Sequence, residues 1–221
     1  MTPPTIKAVL WDFGGVFTTG PFVNFARYER EHGLPENFLR RVNSTNPDTN
    51  AWARFERDEI DLAEFDRAFA AESRALGHAV PGAEVIKLIK GDLRPEMVAA
   101  LRRVKQHFAC ACITNNVREP DPDASDASLY TGKAGEVAAV LALFDLVIES
   151  SKVGLRKPDP RIYQMALDAL NVAPTEAVYL DDLGVNLKPA REMGMTTIKV
   201  GEAEAAISEL EGVLGILLSS E

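Results

Sequence analysis

The chain has 221 residues, of which 46% are hydrophobic and 26% charged. That is a globular rather than a disordered or fibrous composition, and a chain of this length buries about 70% of its unfolded surface without needing staples. With 24 basic against 33 acidic residues the formal charge is −9, which leaves no basic surplus to displace counterions from nucleic acid.

The opening stretch, MTPPTIK, lacks the basic and apolar regions of a secretion signal. No apolar run approaches the roughly 20 residues that a membrane helix needs. The expectation is a cytoplasmic protein with no nucleic-acid or membrane partner, monomeric or homodimeric.

In chain order, the first strand is expected over 6–11, an apolar run that ends in Asp12 and is followed by Gly14 and Gly15. Two glycines after a strand-end carboxylate permit a tight turn whose N–H groups can approach an anion; a strand-end Asp that only bonds its own turn is the competing reading. The segment 18–91 contains no convincing strand. Phe22, Phe25 and Ala26 mark one helix there and Leu62, Phe65 and Phe69 another, the latter opened by the capping-box-like pair Asp61 and Glu64. Trp52, Arg54 and Arg27 are candidates to face a crevice, against the plainer reading of a core aromatic and solvated arginines.

Pro95 opens the helix that leads to a second strand over 108–114. Cys110 and Cys112 stand two apart there and face one side of it, as small core residues do. This strand ends in Thr114, Asn115 and Asn116. The following loop, 115–132, is long for a compact domain and reads equally as a solvated insertion or a substrate contact. A third strand is expected over 145–149, followed by KVGLRKPDP, in which two prolines stiffen the loop around Lys157. Asp159 and Pro160 begin a helix with Ile162, Met165, Ala166, Ala169 and Leu170 on one face. The fourth strand, 177–180, runs into the carboxylate pair Asp181 and Asp182, and a fifth is expected over 196–200. Ile207, Leu210, Leu214 and Leu217 mark a last helix.

Short, almost wholly apolar strands alternating with amphipathic helices predict an α/β fold with a doubly wound parallel sheet. The helical segment leaves the carboxyl end of the first strand, where such sheets bind ligands, and is placed to act as a lid. Any one of the polar strand ends alone is ordinary turn chemistry. Together, carboxylates from two strand ends can converge on one hard cation, with Mg²⁺ favouring a few carboxylates, waters and a substrate phosphate.

With these features the sequence resembles the haloacid dehalogenase-like (HAD) hydrolase superfamily. The segments VGLRKPDPRIY and YLDDLGVNLKPAREMGM are similar to the phosphatase-like N-terminal domain of soluble epoxide hydrolases. Epoxide hydrolysis itself is not implied, since no Gly-x-Ser-x-Gly-type elbow is seen.

The resemblance implies a Rossmann-like HAD core over 1–17 and 92–221 with an α-helical cap over 18–91. It also implies a Mg²⁺-dependent phosphatase of a small phosphorylated metabolite. In that scheme Asp12 is the nucleophile and Thr114 and Lys157 are catalytic. Gly15, Thr114, Asn115 and Lys157 bind phosphate. Asp12, the Gly14 carbonyl and Asp182 ligate the metal, Asp181 acts on it through water, and Asn186 supports the loop.

The family's second carboxylate, two residues after the nucleophile, is Gly14 here. The expected consequence is loss of a general acid, a contribution of about 10²–10⁴-fold, with water or a cap residue such as Asp58 or Glu59 as possible replacements. The alternatives from the sequence are a metal-free 2-haloacid dehalogenase and a non-catalytic phospholigand binder.

Overall fold

The computed structural model describes residues 5–117 and 134–218. Five parallel strands form one sheet: β1 (Ala8–Trp11), β2 (Ala109–Thr114), β3 (Leu146–Glu149), β4 (Ala177–Asp181) and β5 (Thr196–Lys199), in the spatial order β3-β2-β1-β4-β5. All five expected strands are present, and the doubly wound α/β sheet is the observed architecture. The order reverses at β1, whose neighbours are β2 and β4, so β1 ends at the switch point where α/β sheets open a crevice.

Alternation along the strands sorts side chains onto two buried faces. Val9, Trp11, Cys110, Cys112, Val178 and Leu180 point to one face. It is covered by α6 (Pro95–Val104), α7 (Ala134–Leu141) and α11 (Ala203–Leu214). Ala8, Leu10, Ala111, Ile113 and Tyr179 point to the other, under α9 (Pro160–Leu170) and α10 (Gly184–Met193). Both cysteines are free and fully buried, and burial pushes the Cys110 thiol up to about 12.

Between β1 and α6 lie α1 (Phe22–Glu31), α2 (Phe38–Ser44), α3 (Ala51–Glu56), α4 (Leu62–Ala75) and α5 (Gly82–Leu88). These inserted helices have a core of their own, built on Phe25, Phe38, Phe55, Phe65, Phe69 and Val85. Asp61 caps α4 by accepting from Glu64 N at 2.7 Å, as the pattern predicts. The two chain segments that join the helices to the sheet run antiparallel. Thr18 bridges Leu93, and Arg94 N donates to the Phe17 carbonyl at 2.8 Å.

The last helix stops at Leu214, because Gly215 takes φ 70° in the left-handed region and ends it; Leu217 lies beyond the helix and is exposed. The 115–132 loop falls outside the described residues after Val117. Among the described residues no helix is long and apolar enough to cross a membrane.

Candidate active site

The parallel register brings the polar strand ends together. Trp11 pairs with Leu180, so Asp12 and Asp181 are the next neighbours across the β1–β4 ladder, and Asp12 N donates to the Leu180 carbonyl at 2.8 Å. Thr114 closes β2 at the same edge of the sheet. The short helix α8 (Ser150–Val153) after β3 ends at Gly154 in the left-handed region (φ 66°), and the chain then runs through Lys157.

Lys157 is 1% exposed, and its ammonium lies between two carboxylates. Nζ is 2.6 Å from Asp12 Oδ1 and 2.9 Å from Asp181 Oδ2. A cation taken out of water is tolerated only when paired in this way. Burial alone lowers the Lys157 pKa, but Asp12 and Asp181 outweigh it and hold the ammonium charged.

Asp181 is wholly buried and its oxygens are crowded with donors. Besides Lys157 it accepts from Leu183 N at 2.8 Å, from Asn186 Nδ2 at 3.1 and 3.0 Å, and from the Tyr179 hydroxyl. Asn186 is anchored in turn where the Tyr163 hydroxyl donates to its carbonyl at 2.8 Å. Tyr179 and Tyr163 were not singled out in the sequence. Tyr179 stands two residues before Asp181 on one strand, and that spacing, which puts both on one face, was the available signal.

Asp12, Asp181 and Asp182 each offer an oxygen within 4.8 Å of the others. Burial and the nearby Asp181 push Asp12 up to about 8, against the pull of Lys157, and Asp182 up to about 6. Three hard oxygen donors crowded in this way fit a divalent cation, which relieves the repulsion. Asp12 and Asp182 are the better placed to ligate directly, since the Asp181 oxygens already serve four protein groups.

Gly15 sits at φ 76°, and a Cβ there would lie 2.3 Å from Asp182 Oδ2; the turn and the carboxylate share space that only glycine leaves. Gly14 is exposed, and a Cβ on it would meet nothing within 4 Å.

The Asn115 carboxamide is committed to the neighbouring loop. Its Oδ1 accepts from Lys157 N at 2.8 Å, and its Nδ2 donates to the Lys157 carbonyl at 3.1 Å. Asn116 ties the β2 exit to the start of α8, its N–H donating to Ser150 Oγ at 2.9 Å.

The acids on the inserted helices divide differently from the sequence expectation. Glu59 is exposed and takes two bonds from Arg57, at 2.6 and 3.1 Å, which hold its pKa low. That is the wrong direction for a proton donor. Asp58 sits in the left-handed region at φ 60°. Arg54 pairs with Glu64, Arg27 bonds Asn24, and Trp52 packs on Phe65. An acid of the inserted helices that bonds the site loops is Glu56, which the sequence did not suggest.

A family model described as haloacid dehalogenase-like hydrolase matches residues 6–194. The chain is 32% identical over 225 residues to bifunctional epoxide hydrolase 2 of Sus scrofa, covering 96% of this chain and 40% of that protein. It therefore spans about two fifths of the length of that relative. It is 40% identical over 201 residues to phosphatase MT3486 of Mycobacterium tuberculosis, covering 86% of this chain and 85% of that one. Among solved structures, the HAD family enzyme bt-2542 of Bacteroides thetaiotaomicron, in complex with magnesium and inorganic phosphate, superposes with a TM-score of 0.58. That match is at 18% identity and covers 89% of this chain and 94% of the other; at such identity the likeness speaks for the fold. The chain belongs to the haloacid dehalogenase-like hydrolases.

Proposed function

We propose that this chain is a Mg²⁺-dependent phosphatase acting on a small phosphorylated metabolite through an aspartyl-phosphate on Asp12. The observation that carries the reading is the Asp12–Lys157–Asp181 array at the switch point of the sheet, with Asp182 beside it.

In this reading the Asp12 carboxylate attacks phosphorus in line and the leaving group departs. Lys157 offsets charge on the transferring group, and Asp181, fixed by Asn186 and Tyr179, holds that ammonium in place. Thr114, Gly15 and the Asn115 main-chain N–H line the phosphate side, since the Asn115 carboxamide is engaged with Lys157. Asp12, Asp182 and the Gly14 carbonyl would hold Mg²⁺, which when bound supplies neutralising positive charge to the phosphate oxygens. Water then hydrolyses the acyl-phosphate. The inserted helices serve as the cap, 18–91 over a core of 1–17 and 92–221, and select the substrate.

Glycine at position 14 removes the usual proton donor, and its exposure leaves solvent in that place. Substrates whose leaving groups need little protonation are therefore favoured, such as aryl and anomeric sugar phosphates.

The test is hydrolysis of an aryl phosphate with and without Mg²⁺, beside Asp12→Asn. The expected result is Mg²⁺-dependent turnover that Asp12→Asn abolishes. Equal rates of wild type and Asp12→Asn would refute the nucleophile. Activity on a 2-haloacid that survives chelation would instead favour the dehalogenase reading. Equal rates on aryl and alkyl phosphates would remove the leaving-group preference.

A further inference from the structure

Glu56 is the last residue of α3, and it is buried. Its Oε1 accepts from Trp52 Nε1, one turn earlier on the same helix, at 2.9 Å. Its Oε2 accepts from two groups of the α/β core: Arg156 Nε at 2.6 Å and Asn115 Nδ2 at 3.4 Å. Both oxygens are thus engaged as acceptors, and neither is presented to donate a proton.

The helix that carries Glu56 is itself pinned. Asn50 caps α3 by accepting from Ala53 N at 2.8 Å, and its amide donates to the carbonyls of Asn43 and Thr45 at 2.9 Å each. Arg156 makes a second bond to the insertion, from Nη1 to the Pro47 carbonyl at 2.9 Å.

One carboxylate from the inserted helices therefore meets both loops that serve the phosphate side: the exit of β2 at Asn115, and the loop where Arg156 precedes Lys157. Its charge has a directional consequence. A carboxamide presents an acceptor on one side and a donor on the other. Asn115 must turn its oxygen to Lys157 N, and two acceptors beside its nitrogen, the Lys157 carbonyl at 3.1 Å and the Glu56 carboxylate at 3.4 Å, select that orientation. Flipped, the Asn115 oxygen would face the Glu56 carboxylate, and its NH₂ would face the Lys157 N–H. Arg156 supplies a counter-charge to the buried Glu56 carboxylate, at 2.6 Å.

We propose that Glu56 is a positioning residue for the phosphate side of the site. From the inserted helices it reinforces the orientation that the Asn115 carboxamide takes against the Lys157 main chain, and so helps to hold that main chain in place. Seating of the helices and placement of the Lys157 ammonium are then linked, and lifting the helices loosens the loop that carries it. The kinetic consequence rests on the phosphatase reading; the structural one does not.

The experiment compares wild type, Glu56→Gln, Asn115→Ala and the double variant in two ways. The first is kcat and KM for an aryl phosphate in Mg²⁺. The second is amide hydrogen exchange of the 155–158 segment by mass spectrometry. Glu56→Gln is expected to lower kcat about tenfold or more with a smaller change in KM, and to speed exchange of 155–158 by about tenfold, while β1 stays protected. The double variant should be no worse than the more damaged single, because both act through one carboxamide. Glu64→Gln, which breaks a surface pair on the same helices, should change neither readout.

Exchange at 155–158 equal to wild type in Glu56→Gln, or kcat losses that add in the double variant, would overturn the proposal. Should Glu56→Gln not fold, Glu56→Asp carries the same exchange test: it keeps the charge but falls one methylene short of Asn115. A wild-type protein that hydrolyses no aryl phosphate would count against the phosphatase reading, and the exchange result would still decide the role of Glu56.

Discussion

Charged groups at the carboxyl edge of the sheet and on the inserted helices are paired in opposite ways. Lys157 lies between Asp12 and Asp181 with side chains only 1%, 9% and 0% exposed. Arg54 and Glu64 meet at a similar distance, but with side chains 38% and 46% exposed. Exposed pairs are worth about 0.2–1 kcal/mol, because water screens them and holding two long side chains costs entropy. A buried pair has forgone hydration, and apolar residues of the same volume are often as stable or more so. The sheet-edge array is thus poorly explained as a device for stability and well explained as a site that keeps an ammonium and carboxylates fixed and dry. Glu56 with Arg156 falls between the two, with side chains 9% and 18% exposed and one partner from each region.

Lys157→Met should break this contrast most severely. Removing the ammonium leaves Asp12 and Asp181 facing each other without a cation, a loss of about 3–5 kcal/mol. Urea unfolding should report it; a loss below about 1 kcal/mol would mean that the array is solvated.

Metal loading is next. A divalent cation that binds only the folded protein adds about 2.7 kcal/mol at a hundredfold excess over its Kd. The Tm should rise with added Mg²⁺ and fall back with a chelator, and Asp182→Asn should blunt the rise. A Tm indifferent to Mg²⁺ in wild type would count against the carboxylate cluster as a cation site.

Gly15→Ala forces a side chain into left-handed backbone and toward Asp182, at a cost of about 1–3 kcal/mol. The Mg²⁺ concentration for half-maximal activity should rise by about tenfold or more as Asp182 is displaced, an effect comparable to the loss of a residue supporting a metal ligand. Unchanged Mg²⁺ affinity would remove Asp182 from the direct ligands. At the bottom of the scale, Glu64→Gln should shift stability by no more than about 0.5 kcal/mol in either direction.

Much of the sheet was legible because its strands are buried on both faces and read as short apolar runs. Their ends were less so: the run at 6–11 yields a strand at Ala8–Trp11, since an apolar pattern does not mark where the hydrogen-bonded ladder starts. Leu217 fitted the helical spacing of Ile207, Leu210 and Leu214, but Gly215 terminates the helix before it.

At the site, Asp12, Thr114 and the Asp181–Asp182 pair stand at strand mouths, so parallel register gathers them at one edge, while Lys157 is brought in by the loop after α8. Tyr179 was hidden because a tyrosine inside VYLDD looks like another core residue until its hydroxyl is seen on Asp181. Glu56 was hidden for a different reason. Its contacts with Asn115 and Arg156 are set by how the inserted helices lie on the sheet, and no short-range spacing encodes that. The sequence pointed instead to the neighbouring Asp58 and Glu59, as proton donors, and only the packing brings Glu56 to the loops.

The central claim is that Asp12 carries the phosphoryl group during turnover. The direct measurement is the mass of enzyme quenched in acid within the first turnover of an aryl phosphate, with the adduct located by peptide mapping. One phosphoryl group on the peptide containing Asp12, dependent on Mg²⁺ and absent from Asp12→Asn, is the predicted result. A phosphoryl group on any other residue, or turnover by Asp12→Asn at the wild-type rate, would contradict it.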